Sequence, residues 1–141
     1  MVPKSYSRWI FLVLGFLGFA DTGYLTAEHF LGVIPPCSIL KGCETVLTSQ
    51  YATIAGIPVS LIGLVYYLLI FGLAVWYVDK GNDIAIRRIF QLTTVGFLIS
   101  VFLVSVQIFV IKSICQYCMF SALDSTLLFA FSWAVVRKMN K

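Results

Sequence analysis

Charge is what this 141-residue chain has least of, with six acidic and ten basic residues making up 11% of the sequence. Soluble domains carry roughly 25% charged residues, so the shortage excludes an ordinary soluble fold. Histidine occurs once, at His29, and cysteine only at Cys37, Cys43, Cys115 and Cys118. A single histidine offers little mixed-ligand chemistry for a metal centre. No run interleaves basic with aromatic side chains, which leaves no groove for DNA or RNA.

Apolar residues take up what the charges give away: 60% of the chain is hydrophobic and mean hydropathy is +0.97. That exceeds what a soluble domain buries and marks an integral membrane protein. At about 20 residues per span, the chain has room for about four spanning helices and short loops. Four stretches meet the requirement: Trp9 to about Phe30, Val59 to Val78, Ile89 to Ile111, and about Ile114 to Val136. The expected architecture is an all-α bundle of four transmembrane helices, one domain over residues 1–141. Asp21, Glu28 and His29 lie in the second half of the first stretch, whose upper end is expected to rise into a polar or protein-covered region. Lys4 and Arg8 ahead of Trp9 to Ala20 also resemble a secretory signal, but no small-x-small cleavage site follows and apolar character resumes at Tyr24 and Leu25.

Short loops rich in Lys and Arg stay cytoplasmic. Alternating sides puts Lys4, Arg8, Lys80, Arg87, Arg88, Arg137, Lys138 and Lys141 on one face, against Lys41 and Lys112 on the other. Both termini are therefore expected in the cytoplasm. The net charge of +4 reflects this topology, not nucleic-acid affinity. The loop from about Leu31 to Ile57 and the Lys112–Cys115 junction fall outside, so all four cysteines share the extracytoplasmic face, the oxidising side of a bacterial plasma membrane.

Cys115-Gln116-Tyr117-Cys118 heads the last apolar stretch. A CxxC unit sets two sulfurs one helical turn apart, and a helix N-terminus favours the thiolate of the first. Buried, inert packing is the usual fate of cysteine in an apolar protein, but Cys37 and Cys43 sit in a loop beside Pro35-Pro36. Three readings stand: structural staples, a thiolate site for zinc or another thiophilic metal, and a dithiol relay. A bridge across CxxC constrains the unfolded chain little and is readily reduced. A metal carrier would need a cytoplasmic cysteine pair to receive the ion, and there is none. These arguments favour the relay.

Cys37-Ser38-Ile39-Leu40-Lys41-Gly42-Cys43, then Val46-Leu47-Thr48-Ser49, then Gly56-Ile57-Pro58-Val59-Ser60 opening a helix, and finally the Cys115/Cys118 pair together resemble the vitamin K epoxide reductase family over nearly the whole chain. The resemblance implies a four-helix bundle that reduces a quinone at the outer membrane face with electrons from a thioredoxin-like partner. It implies that Cys37 forms the mixed disulfide with the partner, that Cys43 passes the electron pair to Cys115, and that Cys118 faces the quinone. It also implies that Ser49 lies near the quinone, and that Glu44 to Thr53 lies as a half-helix along the membrane surface. From the residues alone, Ser49 reads equally well as a loop hydroxyl bonding local backbone.

Members that act on vitamin K and its epoxide carry an asparagine near the outer end of helix two and a tyrosine four residues past the second CxxC cysteine. Val59 and Ala122 occupy those places. Their loss argues against strong epoxide reduction and fits the bacterial branch, which oxidises a secreted thiol oxidase and reduces a respiratory quinone. Because the chain ends at Lys141, the partner is expected to be a separate protein. Quinone is thus the expected substrate, with no metal. Vitamin K epoxide reduction and thiophilic metal binding are the alternatives.

Tyr66 is a further quinone-pocket candidate from the same match. Asp124 points about 120° away from Cys118 around the last helix and is expected to bond a polar group such as Ser100 or Gln107. Trp9, Trp76 and Trp133 fit a cytoplasmic interfacial belt. Gly15, Gly18, Gly63 and Gly96 are expected to let helices approach closely.

Overall fold

The computed structural model describes residues 4–33 and 42–141. Cys37 and most of the expected loop around it lie outside the described residues. Four long helices carry the fold: α1 (Lys4–Leu31), α3 (Val59–Lys80), α4 (Asp83–Ser105, continued by a π-helical segment Val106–Ile111) and α5 (Gln116–Met139). Each is long and apolar enough to cross a membrane. Helix α1 packs on α3 and α5, and α4 on α3 and α5, which closes a four-membered ring.

Local chemistry sets the helix ends. Pro58, with φ −64° and ψ 138°, delivers an extended residue to the start of α3. Gly81, at φ 60°, ends it in the left-handed conformation with its N–H donating to Tyr77 O at 2.9 Å, a glycine C-terminal cap. The Asn82 side chain then accepts the Ile84 N–H at 3.0 Å to start α4.

Which side faces lipid follows from where the large apolar residues lie. Leu68, Val95, Leu98, Phe102 and Leu123 are all more than half exposed on the outer faces. In water they would form an aggregation-prone surface, whereas in a bilayer the hydrocarbon solvates them. The interior instead mixes apolar side chains, centred on Phe11, Ile70, Ile86, Ile89 and Leu128, with small polar ones. Thr93 on α4 and Ser132 on α5, both fully buried, share a hydrogen bond of 2.8 Å. Such hydroxyl contacts join helices where no hydrophobic force separates protein from lipid. At the end away from the CxxC unit, the Arg8 guanidinium stands 5.5 Å from the Tyr77 ring centroid.

The connection between α1 and α3 differs from the expected half-helix over Glu44 to Thr53. A single helical turn, α2 (Cys43–Leu47), is followed by a 3-10 turn (Gln50–Ala52) and a small hairpin, β1 (Thr53–Ile54) paired antiparallel with β2 (Ile57–Pro58). Ala55 and Gly56, both at positive φ, form the two-residue turn that matches strand twist. Two residues per strand is too short a signal to read as alternation. The spans also start earlier than their apolar cores: α1 at Lys4 and α4 at Asp83 extend polar turns beyond the stretches hydropathy marks. Helix α5 begins at Gln116 and runs on to Met139.

Candidate active site

Cys115 is the N-cap of α5, with extended backbone angles of φ −97° and ψ 125°. It is fully buried, packed with Val46 of α2, while Ile111, Tyr117 and Cys118 close around the pair. Its N–H donates to Gln107 Oε1 at 3.1 Å. Gln107 comes from the π-helical segment, and its own carbonyl accepts the Ser113 N–H at 3.1 Å. Lys112, at φ 58°, turns the chain between them. The widened π turn thus places one side chain where it holds the start of the next helix, a use typical of π segments at functional sites.

Cys115 and Cys118 stand in the thiol form as neighbours one turn apart. The Cys118 thiol hydrogen-bonds toward the Cys115 sulfur and is the main reason its pKa falls to about 7. Burial opposes that fall, while the backbone N–H groups of Cys118 and Tyr117 reinforce it. The open amides of the first helical turn present partial positive charge to the sulfur.

The backbone at the start of α2 comes up against the chain just ahead of the CxxC unit. A Cβ on Gly42 would stand 2.6 Å from Ile114 N and 2.9 Å from Ile114 C. The two backbones are therefore in direct contact, one residue before Cys43 on one side and one before Cys115 on the other. Only glycine allows this approach.

Below Cys115, Cys118 lines a cavity of about 590 Å³. Ser49, Val59, Tyr66 and Ala122 all line it too, so the four residues named as quinone contacts share one space with this sulfur. The Ser49 hydroxyl donates to Val46 O at 2.7 Å, closing the end of α2. Tyr66 Oη is buried near the Ser125 hydroxyl, and its ring lies against Gly96 of α4. Tyr67 turns the other way, its hydroxyl donating to Ser121 O at 2.8 Å and lying 3.1 Å from Ser121 Oγ. The lining includes Ile62 and Ile99, exposed on the outer faces of α3 and α4, and also the exposed His29 and Tyr51 at the α2 end.

The profile of the vitamin K epoxide reductase family matches residues 9–133. The chain belongs to the vitamin K epoxide reductase family. It is accordingly a multi-pass membrane protein of a thiol oxidoreductase family. Within this family member, Cys43 opens α2 beside the CxxC unit, whereas Cys37 lies outside the described residues.

Two expectations need correction. Gln107 is engaged by Cys115 and not by Asp124, whose Oδ2 is buried with no hydrogen-bond partner. Gly18 and Gly96 admit the rings of Tyr67 and Tyr66, side chains packed into the bundle and not bare backbone crossings. Sequence reading did not single out the structural roles of Gln107, Val46 and Gly42. The glutamine left a signal, an amide inside an otherwise apolar span. Val46 left none, because one valine in a loop is unremarked until α2 folds over the sulfur.

Proposed function

We propose that the protein takes electron pairs from a thioredoxin-like partner through Cys37 and Cys43 to Cys115 and Cys118 and reduces a quinone, supporting disulfide formation outside the cytoplasm. The observation that carries this reading is the placement of Cys118 in the wall of an apolar cavity while Cys115 sits under α2. One sulfur of the pair lines the place for a lipid-dissolved substrate, and the other is packed against Val46 of the helical turn that Cys43 opens. The cavity volume falls in the range of about 300–1,000 Å³ usual for small-molecule sites, and the exposed Ile62 and Ile99 in its lining bring it to the apolar surface that a lipid-dissolved substrate would meet.

Each transfer is thiolate attack on a disulfide sulfur. The reduced partner attacks the Cys37–Cys43 disulfide, and the released dithiol then reduces the Cys115–Cys118 disulfide. The lowered pKa of Cys115 suits both directions: the sulfur is a good leaving group when its disulfide is attacked, and a ready nucleophile when it closes again. Quinone then accepts two electrons and two protons as the two thiols become a disulfide. Tyr66, whose hydroxyl is buried in the cavity wall, is a donor for a quinone oxygen, with Ser49 at the α2 end. The basic residues at the opposite end support a topology with both termini in the cytoplasm and the cysteines outside a bacterial plasma membrane. The aliphatic Val59 and the small Ala122 favour a respiratory quinone over vitamin K epoxide.

The test is quinone reduction by purified protein in detergent, with a dithiol and with a thioredoxin-like protein as donors. Cys118→Ser is expected to abolish turnover with either donor, and Cys37→Ser to impair it mainly with the protein donor. A parent that reduces no quinone but binds zinc stoichiometrically through free thiols would replace this reading with the metal one.

A further inference from the structure

The end of the bundle away from the sulfurs carries chemistry that the thiol relay does not use. A second cavity, of about 410 Å³, opens there between α4 and α5. Phe90 of α4 with Trp133 and Val136 of α5 give it an apolar wall, and Arg137, Asn140 and Lys141 give it a polar rim. The Arg137 guanidinium lies over the Trp133 indole, 5.8 Å from the ring centroid. Stacking of this kind holds the planar fork in place and leaves the in-plane N–H groups to donate. Arg87 stands three residues before Phe90, on the same face of α4, so basic side chains flank the cavity from both helices. The acids at this end, Asp79 near the close of α3 and Asp83 at the opening of α4, do not line it. Among the described residues, the lining carries positive charge and no acidic side chain.

Beyond the apolar wall, aromatic rings continue along the contact of α4 with α5. Phe90 stacks on Phe129 at a centroid distance of 6.1 Å, and Phe129 on Phe97 at 4.8 Å. All three are half-buried, so they present an apolar seam leading from the cavity toward the middle of the span. Phe90 and Phe97 are one heptad apart on α4, about 10 Å of helix. Trp133, about half exposed, stands at the head of the seam in the place of an interfacial aromatic. A cationic rim above an apolar track complements a lipid with a negative headgroup. The track by itself selects nothing in a bilayer, where every tail is equally apolar, so the headgroup decides what is held.

We propose that the cavity between α4 and α5 binds an anionic phospholipid, its phosphate on Arg137 and Asn140 and one acyl chain along Phe90, Phe129 and Phe97. The site depends on the membrane-spanning fold and not on quinone reduction. Arginine presents paired N–H donors that match two phosphate oxygens, and the Asn140 amide supplies another donor. Basic pockets between spanning helices recognise such headgroups. A zwitterionic lipid brings its own ammonium group among Arg87, Arg137 and Lys141, which repel it. An anionic headgroup brings no cation.

The experiment uses full-length protein in a nonionic detergent, incubated with dioleoyl phosphatidylglycerol or dioleoyl phosphatidylcholine at equal concentration, with bound lipid counted by native mass spectrometry. The parent is expected to retain phosphatidylglycerol in preference to phosphatidylcholine. Arg137→Gln should lower phosphatidylglycerol binding about fivefold, the contribution of one basic residue near an anionic surface. Arg137 is exposed at the end of α5, so this replacement leaves the packing intact. Trp133→Leu frees the guanidinium from its stack and should also weaken phosphatidylglycerol binding, with phosphatidylcholine unchanged in both variants. Arg88→Gln is the control, because Arg88 is exposed at the same end, hydrogen-bonded to Gln91 and outside the cavity. It removes the same charge and should keep the parental preference. A parent that holds both lipids equally overturns the proposal. So does an Arg137→Gln or Trp133→Leu protein whose binding falls no further than that of Arg88→Gln, since the attraction would then be diffuse. Displacement of phosphatidylglycerol by inorganic phosphate at equal concentration would mark a site for a free anion and overturn it as well.

Discussion

Gln107 and Cys115 are joined across the cavity end of the bundle, the cysteine N–H donating to the glutamine Oε1 at 3.1 Å. Both are buried, so each supplies what the other would otherwise lack. The contact fixes the first turn of α5 against the π-helical end of α4, and with it the position of the sulfur pair. Gln107→Leu leaves the Cys115 N–H buried and unsatisfied, at a cost of about 1–3 kcal/mol. The expected result is a lower unfolding temperature in detergent together with slower exchange through Cys115.

Gly42 sets how closely the start of α2 approaches the CxxC unit. A methyl there would collide with the Ile114 backbone, which has no flexible end to yield. Gly42→Ala is expected to separate Cys43 from Cys115 and reduce electron transfer from a protein donor about tenfold or more, equivalent to about 1.4 kcal/mol in the barrier. Turnover with a small dithiol that reaches the CxxC unit directly should be affected less. Equal loss with both donors would show that the contact only stabilises the fold.

Cys115 supplies the pH dependence. Its pKa is lowered to about 7, chiefly by the hydrogen bond from Cys118 and then, against burial, by the amides of Cys118 and Tyr117. A lowered thiol pKa means that thiolate is populated above that value, earlier than in an ordinary cysteine near ~8.5. In a Cys37→Ser/Cys43→Ser background, ultraviolet thiolate absorbance should therefore rise around pH 7. Adding Cys118→Ala removes the main donor and should move the rise upward. Cys118→Ser keeps a hydroxyl donor and should move it less.

Gly96 shapes the cavity by leaving room for the Tyr66 ring. Gly96→Ala forces that ring out of place and is expected to raise the quinone KM several-fold without touching disulfide exchange. Gly72 serves as the control, since a Cβ there meets nothing within 4 Å. Gly72→Ala should leave both steps unchanged and slightly stabilise α3, because alanine is the better helix former by about 1 kcal/mol.

Ala122 stands one turn beyond Cys118 and lines the same space. Ala122→Trp is expected to fill the cavity beside the sulfur and abolish quinone reduction. Reduction of the Cys115–Cys118 disulfide by dithiothreitol should persist in that variant.

Hydropathy alone determined the number of spans, because the length of an apolar run needed to cross hydrocarbon is a local property of the chain. The spacing of Cys37, Cys43, Ser49 and the CxxC unit similarly pointed to the family, and a CxxC at the head of a helix foretold a lowered first pKa from local geometry. Other features depend on residues far apart in the chain. The contact of Gly42 with Ile114 and the hydrogen bond of Tyr67 to Ser121 each join residues more than fifty positions apart, and Gln107 reaches Cys115 across the break between two helices. No periodicity within one helix encodes which face of another it meets. The cavity beside Cys118 belongs to the same class, since it is the space left where α3, α4 and α5 fail to fill the bundle. Sequence specified which segments are long and apolar enough to enter the membrane and which sulfurs are the candidates for exchange. Tertiary packing decided which sulfur of the CxxC pair lines the cavity and which buried amide holds the backbone of the other.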